Sequence, residues 1–423
     1  MSSSLRWRFS VMMFLQYMVW CMWQVKLGTY LVHLDFNGDQ IGMIFGAFYF
    51  ACLISPFVGG QIVDRWLPTQ IFLAITQLIG GVILISLAWI TNFAVMGWVM
   101  LVYSLFYAPS LALSNSICFH HLKDTEKDFG AIRVWGSIGW LMAGWVLLLW
   151  WKFVQPLKAD MFASDPAAYI STESILFVLA GVVSIFYGLF CFALPHTPPS
   201  KESSSPWAFL DAFKLFKDRN FAIFMFISFV VSTQLMFFFI QTPMLLESSL
   251  VGINPDNTSA VITTFCISTE ILAMFVLMPW FLKRFGIGKT LALGVLAWPI
   301  RYAIFSLGTP WWLVVGSLLL HGLAYTFFFV VGQIYVDRVA PAHIKGSAQS
   351  LLTTVTFGLG MTISSIFSGW IQRIFTDTSV TPNVINFQGI FLVPCVLTVI
   401  CTFAFLIFFK EPPKAPTEND ATA

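Results

Sequence analysis

The chain has 423 residues, of which 58% are hydrophobic and 10% charged, and its mean hydropathy is +0.82. Soluble proteins carry about 25% charged residues, so this composition excludes an ordinary soluble domain and indicates a multi-pass membrane protein. The formal net charge is +2 without a basic cluster, which argues against a nucleic-acid partner and leaves the lipid bilayer as the main surroundings. The seven cysteines lack metal-ligand spacing and are predicted to be small core residues.

Apolar segments long enough to cross a hydrocarbon core of about 30 Å recur along the whole chain. We predict an all-α integral membrane fold with twelve spans, at residues 10–31, 40–62, 69–90, 94–117, 130–151, 173–194, 220–244, 259–282, 288–307, 311–334, 346–370 and 387–409. The loops after odd-numbered spans hold Lys152, Lys158 and Arg373, whereas the termini and the other loops hold nearly all remaining basic residues. By the positive-inside rule, both termini lie in the cytoplasm and the protein resides in the inner (cytoplasmic) membrane.

Residues 195–219 form the longest interior polar segment and are predicted to separate two six-helix bundles, residues 1–194 and 220–410, with a cytoplasmic tail at 411–423. The first part of this segment, PHTPPSKESSSP, is typical of a flexible linker. The following WAFLDAFKLFK places Phe209, Phe213 and Phe216 on one helical face. This pattern predicts an amphipathic helix on the cytoplasmic membrane surface.

The end of the second span carries a short pattern, Gly60-x-x-x-Asp64-Arg65, in a predicted cytoplasmic turn. The eighth span ends in a similar basic turn, as expected of parallel repeats. Asp64 and Arg65 are either an ordinary solvated turn or a latch between neighbouring helix ends in one conformation, and we favour the latch.

The fifth span contains an arginine at membrane depth, in the segment GAIRVWGSIGWLMAGW. Arg133, Ser137 and Trp140 are spaced i, i+4 and i+7, so they share one face of a helix. An arginine at this depth needs water, a ligand or a counter-charge. The glycines of the segment provide small surfaces for a close helix neighbour.

Glu270 is the one acidic residue that this topology places well inside a span. A lone intramembrane carboxyl group suits a proton carrier, although it could instead be a permanently protonated group within a helix interface. Arg133 is its natural counterpart in the other half of the chain. The two could form a state-dependent salt bridge, share a ligand, or lock the halves as a structural ion pair.

Three further ionisable residues lie within predicted spans. Lys26 either lines a cavity with Gln24 and Thr29 or extends towards the outer interface on its long side chain. Arg301 is predicted to extend to the outer interface. His321 is predicted to be a hydrogen-bonded core histidine, with a proton relay as the alternative.

The same residues argue against other classes of function. His120 and His121 come nearest to a metal site, but adjacent side chains on a helix do not share a face and no third ligand follows at fixed spacing. An enzyme is therefore not expected. A non-transporting receptor would more often carry a sizeable soluble domain, whereas this chain has short loops.

Three stretches resemble the bacterial nucleoside:proton symporters, a family of the major facilitator superfamily. They are LQYMVWCMWQVKLGTYL in the first span, IRVWGSIGW in the fifth, and HGLAYTFFFVVGQIYVDRVAPAHIKGSAQS across the tenth and eleventh. The resemblance implies twelve helices, alternating access and inward transport of nucleosides driven by a proton gradient, without another cofactor. We expect a monomer.

The resemblance also implies a set of substrate-binding residues. Arg133, Ser137, Trp140, Glu270 and Tyr325 match family positions around the nucleoside, and Glu270 with Arg133 would couple proton movement. The chain departs from the family pattern at four positions. Met236 and Phe239 replace polar amides, Ile267 replaces a glutamine, and Thr326, which we include in the binding site, replaces an acidic residue.

The sequence therefore predicts a proton-coupled importer of nucleosides. The alternative in the same superfamily is a symporter of mono- or oligosaccharides, because aromatic walls beside a few polar groups suit a sugar ring equally well.

Overall fold

The computed structural model describes residues 3–122, 125–154, 173–199, 208–341, 344–380 and 383–410. These residues are almost entirely helical. The helices are α1 Ser3–His33, α2 Gly38–Arg65, α3 Thr69–Leu87, α4 Phe93–His121, α5 Thr125–Leu149, α6 Ile175–Cys191, α7 Arg219–Glu247, α8 255–285, α9 287–307, α10 Trp311–Val339, α11 Lys345–Ile374 and α12 Phe387–Phe408. Each overlaps one of the predicted spans.

Short polar side chains determine where several helices begin. Asn37 and Gln40 form a reciprocal capping box at α2, and the side chains of Asn92 and Asp218 accept hydrogen bonds from backbone N–H groups of α4 and α7. Such caps satisfy the unpaired amide groups of a first turn. The long helical run 255–307 is broken at Gly286, whose φ of 81° no other residue type adopts easily.

Several helices contain π turns, in which the hydrogen bonds span one residue more than in an α-helix. These turns are Phe237–Gln241 in α7, Ala273–Leu277 in α8, Tyr325–Val330 in α10 and Thr354–Gly360 in α11, and Trp150–Val154 extends α5. Single π turns occur frequently at functional sites. The turn Ala273–Leu277 begins three residues after Glu270, and the turn Tyr325–Val330 begins at Tyr325. Both residues belong to the candidate site described below.

Within the described ranges, nine helical stretches are long and apolar enough to cross a membrane, with Pro255–Leu307 counted as one stretch. The apolar helix Ile175–Cys191 is shorter. α1 is 31 residues long but less apolar, since it contains buried Gln16, Gln24 and Lys26.

The main helix contacts run both within and between the two halves of the chain. α1 packs on α5, α2 on α4, α3 on α6, and α9 on α12. α2 also packs on α11, and α5 packs on α8. These last two pairs bring together helices that are far apart in sequence.

The beginning of the predicted linker has no regular secondary structure and is hydrogen-bonded to neighbouring helices. His196 and Thr197 are hydrogen-bonded to Gln70, and Thr197 also pairs with His121, so the chain after α6 is fixed against α3 and α4. Residues 200–207 and the tail from 411 onwards lie outside the described residues.

The predicted amphipathic α-helix is a 3-10 helix, Ala208–Lys217. Residues three apart eclipse each other in a 3-10 helix, which stacks the half-exposed rings of Phe213 and Phe216 at 5.9 Å. The side chain of Phe209 lies outside the described residues. Two-residue strands, Thr376–Asp377 and Val384–Ile385, form a small antiparallel pair between α11 and α12 that was not expected from the sequence.

Candidate functional site

The predicted face of α5 is turned towards other helices rather than towards lipid. Arg133 is half-buried, and its guanidinium lies 4.1 Å from the centre of the Tyr17 ring on α1. Such a cation–π contact stabilises a charge that is partly removed from water. The sequence did not identify Tyr17 as the partner of Arg133. Tyr17 does lie in the aromatic-rich stretch of the first span, LQYMVWCMWQVKLGTYL.

Ser137, one turn further along α5, connects the two halves of the chain. Its hydroxyl donates a 3.1 Å hydrogen bond to Oε1 of Glu270 on α8, and both side chains are buried. This bond satisfies one oxygen of a carboxyl group that would be costly to bury alone.

Arg133 and Glu270 interact electrostatically across this cluster. In the described part of the chain, however, no nitrogen–oxygen pair within 4.0 Å joins them. The direct salt bridge considered from the sequence is therefore not formed in this conformation, because Ser137 occupies the position beside the carboxyl group and Arg133 lies over Tyr17.

Trp140 continues the same face and forms an aromatic wall. Its ring meets Trp20 edge-on at 5.2 Å and lies 6.3 Å from Phe239 on α7. Trp20 in turn packs on Phe48 at 5.3 Å. The wall thus extends from α1 and α2 across α5 to α7.

Tyr325 lies at the start of the π turn of α10. Its ring is parallel to that of His321, with 6.0 Å between the centres and an angle of 12°. The hydroxyl of Tyr325 interacts electrostatically with both Glu270 and Arg133. Thr326 is fully buried, and within the described residues its Oγ1 has no hydrogen-bond partner. Thr326 follows Tyr325 in the same π turn.

Two glycines allow the helices around this cluster to approach closely, as predicted from the α5 sequence. Gly139 lies against the backbone of Phe14 on α1, and Gly144 lies against Ser259 and Thr263 on α8. Small residues let helix backbones pack at short distance. α5 is consequently held between α1 and α8.

Lys26 is paired inside the protein rather than exposed at the outer interface. It is buried, forms an ion pair with Glu247 at the end of α7, and donates to the carbonyl of Pro255 at 3.3 Å. Its ammonium also lies 5.4 Å from the centre of the Trp151 ring. Sequence reasoning missed Glu247 because it ended the seventh span at residue 244, whereas the helix continues to 247.

The prediction for Arg301 was wrong. Its side chain is fully buried rather than extended to the interface, and the guanidinium lies 4.3 Å from the centre of the Phe238 ring and 4.5 Å from that of Trp298. His321 is buried and hydrogen-bonded, as predicted, and its partner is Nη1 of Arg301 at 3.0 Å. The side chains beside Tyr325 therefore form one cluster of Arg301, His321, Phe238 and Trp298.

The remaining predictions concern the latch and metal binding. The side chains of Asp64 and Arg65 lie outside the described residues. Within the described ranges, no group of three or more His, Cys, Asp or Glu side chains could hold a metal ion. His121 pairs with Thr197 instead.

Apolar helices that enclose a carboxyl group, an arginine and aromatic walls are characteristic of membrane transporters. The D-xylose-proton symporter matches with a TM-score of 0.73 over 96% of this chain and 98% of that chain, at 12% identity. Its likeness concerns the fold alone.

The chain belongs to the nucleoside H+ symporter family, since the family model of that description matches residues 1–414. The putative nucleoside transporter YegT of Escherichia coli (strain K12) is 33% identical over 428 residues, which cover 98% of this chain and 95% of the relative. Nucleoside permease NupG of the same organism is 29% identical, covering 98% of both chains. A crystal structure of nucleoside transporter NupG matches with a TM-score of 0.80 at 28% identity, over 96% of this chain and 100% of that chain.

The chain is accordingly a multi-pass inner-membrane transporter of the major facilitator type.

Proposed function

We propose that this protein imports nucleosides together with protons by alternating access. The observation that carries the proposal is the hydrogen bond between Ser137 and Glu270, which joins α5 and α8 beside the charge of Arg133. A titratable group at the contact between two halves can couple proton binding to their relative movement. Family membership supports nucleosides over sugars as the cargo.

The proposed topology has twelve spans with both termini in the cytoplasm. Residues 1–194 and 220–410 form two six-helix bundles, joined by the segment 195–219 and followed by the tail 411–423. The distribution of basic residues supports this orientation. The extended helical runs, including Pro255–Leu307 with its break at Gly286, support the number of spans.

Each site residue has a proposed role. Arg133 and Ser137 hydrogen-bond the nucleoside, Trp140 and Tyr325 flank its base or ribose, and Glu270 binds and releases the proton. The buried hydroxyl of Thr326, which has no hydrogen-bond partner among the described residues, supports a polar contact in another conformation. Because Ser137 donates to Glu270, ligand binding at Ser137 would change the surroundings of the proton-binding group.

Alternating access requires contacts that form in one conformation and separate in the other. In this structure α2 meets α11 through Gly42 and Ser365, and α1 meets α7 through Lys26 and Glu247. Both contacts lie at the ends that the proposed topology places outside. Asp64 and Arg65 are proposed to latch the cytoplasmic ends in the opposite conformation.

Uptake into proteoliposomes tests this function. Radiolabelled uridine, inosine and adenosine are supplied with and without an inward proton gradient. We expect gradient-dependent accumulation of at least one nucleoside, without chemical change and by a monomeric protein. If no nucleoside accumulates while a mono- or disaccharide does, the cargo is a sugar and the proposal fails.

A further inference from the structure

Arg301 is a buried cation whose surroundings contain rings and an imidazole rather than a carboxylate. The rings of Phe238 and Trp298 lie against its guanidinium, and Nη1 donates to Nδ1 of His321 at 3.0 Å. In the described part of the chain, no Asp or Glu forms an ion pair with it. A cation enclosed in this way attracts an electron-rich partner.

The bond to Arg301 determines which nitrogen of His321 carries a proton. A guanidinium has donors and no acceptor, so Nδ1 of His321 must accept. His321 is therefore neutral with its proton on Nε2. Arg301 and His321 together present donors, and the His321 ring packs on Tyr325 and on Phe238.

The other two nitrogens of Arg301, Nε and Nη2, are buried and form no hydrogen bond of ordinary geometry with the described residues. The hydroxyl of Tyr302, which donates to the carbonyl of Gln234 at 2.7 Å, is the nearby group that interacts with this guanidinium. These two nitrogens lie on the same edge of the planar guanidinium, where their N–H groups point in parallel. Such a fork matches two adjacent acceptors in one plane, whereas lysine offers a single point charge. Leaving both donors unpaired is costly, which indicates that a partner binds them in another conformation.

We propose that this fork selects the nucleobase, and that the preferred substrates are 6-oxopurine nucleosides. The inference rests on the proposed function and specifies its substrate class. A 6-oxopurine presents the acceptors O6 and N7 side by side, which is the edge that arginine binds with both donors. Adenine places an amino donor beside N7, and uracil presents one carbonyl beside a carbon atom, so neither fills both positions.

A base reaches this edge only when the surrounding helices move. The two nitrogens are enclosed in this conformation, but Phe238 lies in the π turn Phe237–Gln241 and Tyr325 begins the π turn Tyr325–Val330. A π turn has lost part of the regular hydrogen-bond pattern and changes register at low cost. Movement of these turns as the two halves rock would open the space between Phe238 and Tyr325 to a planar ring.

Inosine and adenosine provide the test, because they differ at position 6 and in the proton at N1. Uptake kinetics are measured for both in proteoliposomes with an imposed proton gradient. We expect kcat/KM for inosine to exceed that for adenosine by about tenfold or more. Arg301→Lys keeps the charge but removes the fork and should reduce this ratio to within about threefold of unity.

Arg284→Gln is the matched control, since Arg284 is an exposed arginine that stacks on Trp280 at 5.5 Å. This variant should keep the wild-type ratio. Equal transport of inosine and adenosine by the wild-type protein would overturn the substrate class without any variant. Transport of both with an unchanged ratio in Arg301→Lys would overturn the role of Arg301.

The two proposals fail in different ways. If no nucleoside is taken up, the proposed function is wrong and this inference falls with it. If nucleosides are taken up but position 6 has no influence, the function stands and the inference alone is wrong. If Arg301→Lys does not fold, the inosine-to-adenosine ratio of the wild-type protein decides the substrate class.

Discussion

Lys26 on α1 and Glu247 at the end of α7 form an ion pair between the two halves of the chain, with side chains that are 3% and 10% exposed. A second pair, Arg373 with Asp39 at 2.8 Å, joins α11 and α2 but is much more exposed. Removing one partner from a buried pair leaves an uncompensated charge and costs about 3–5 kcal/mol, whereas exposed pairs contribute about 0–1 kcal/mol. The buried pair therefore holds these helix ends together more strongly than the exposed one.

Replacing Lys26 by methionine should shift the protein towards the conformation with these ends apart, where Glu247 regains water. A cost of about 3 kcal/mol corresponds to a change of about a hundredfold in the conformational equilibrium. The readout is the labelling of Ser365→Cys by a membrane-impermeant maleimide. Ser365 is buried where α11 meets α2, so labelling reports their separation.

Two variants control this experiment. The double variant Lys26→Glu/Glu247→Lys reverses the pair and should bring labelling back towards the original rate. Arg373→Ala removes the exposed pair and should leave the rate within about threefold. Unchanged labelling in Lys26→Met would show that the ion pair does not hold the two halves together.

Glu270→Gln should abolish gradient-driven accumulation of nucleoside while leaving exchange of internal for external nucleoside intact. Glutamine retains the shape of a protonated glutamate and an acceptor for the Ser137 hydroxyl, but it cannot bind or release a proton. Counterflow and gradient-driven uptake are measured on the same proteoliposomes.

Asp337→Asn provides the matched control for the loss of an acidic group. Asp337 is exposed and pairs with Lys345 at 2.9 Å, so both transport modes should persist in that variant. Accumulation that persists in Glu270→Gln would mean that another group carries the proton.

The helical fold and the face of α5 could be predicted because both follow from local patterns. Apolar length predicts a helix wherever it occurs, and the spacing of Arg133, Ser137 and Trp140 fixes their common face. Glu270 could be identified by depth alone. Each of these inferences depends on residues within one helix.

The partners of buried charges could not be predicted in the same way. Hydropathy places Glu247 in a loop, but the π turn Phe237–Gln241 lies within α7 and the helix continues beyond the apolar segment. Arg301 was expected at the interface, but three aromatic rings and His321 offered a lower-energy position inside the protein. The partner of a buried charge depends on which helices pack together, and hydropathy does not contain that information.

Ser137→Ala should weaken nucleoside binding without unfolding the protein. The change removes the hydroxyl that is proposed to hydrogen-bond the nucleoside, and a hydrogen bond between neutral groups contributes about 0.5–1.5 kcal/mol. We expect KM to rise by about tenfold in uptake assays. Ser317→Ala removes a hydroxyl that bonds within its own helix, to the carbonyl of Val314 at 2.7 Å, and should leave KM unchanged. Equal KM values in the two variants would exclude Ser137 from the binding site.

Gly144→Ala tests whether the close contact between α5 and α8 is needed. A Cβ atom at position 144 would lie 2.7 Å from the carbonyl oxygen of Ser259 and 2.9 Å from Cγ2 of Thr263, so the helices would have to separate. Overpacking of this kind costs about 1–3 kcal/mol, and the Tm measured in detergent should fall. Gly130 lies in the same helix, and no described atom outside its chain neighbours and the adjacent helix backbone lies within 4 Å of the position that a Cβ atom would take there. Gly130→Ala should therefore keep or raise the Tm, because alanine favours a helix by about 1 kcal/mol. If both substitutions raise the Tm, α5 and α8 are not closely packed at Gly144, and their alignment must depend on other contacts.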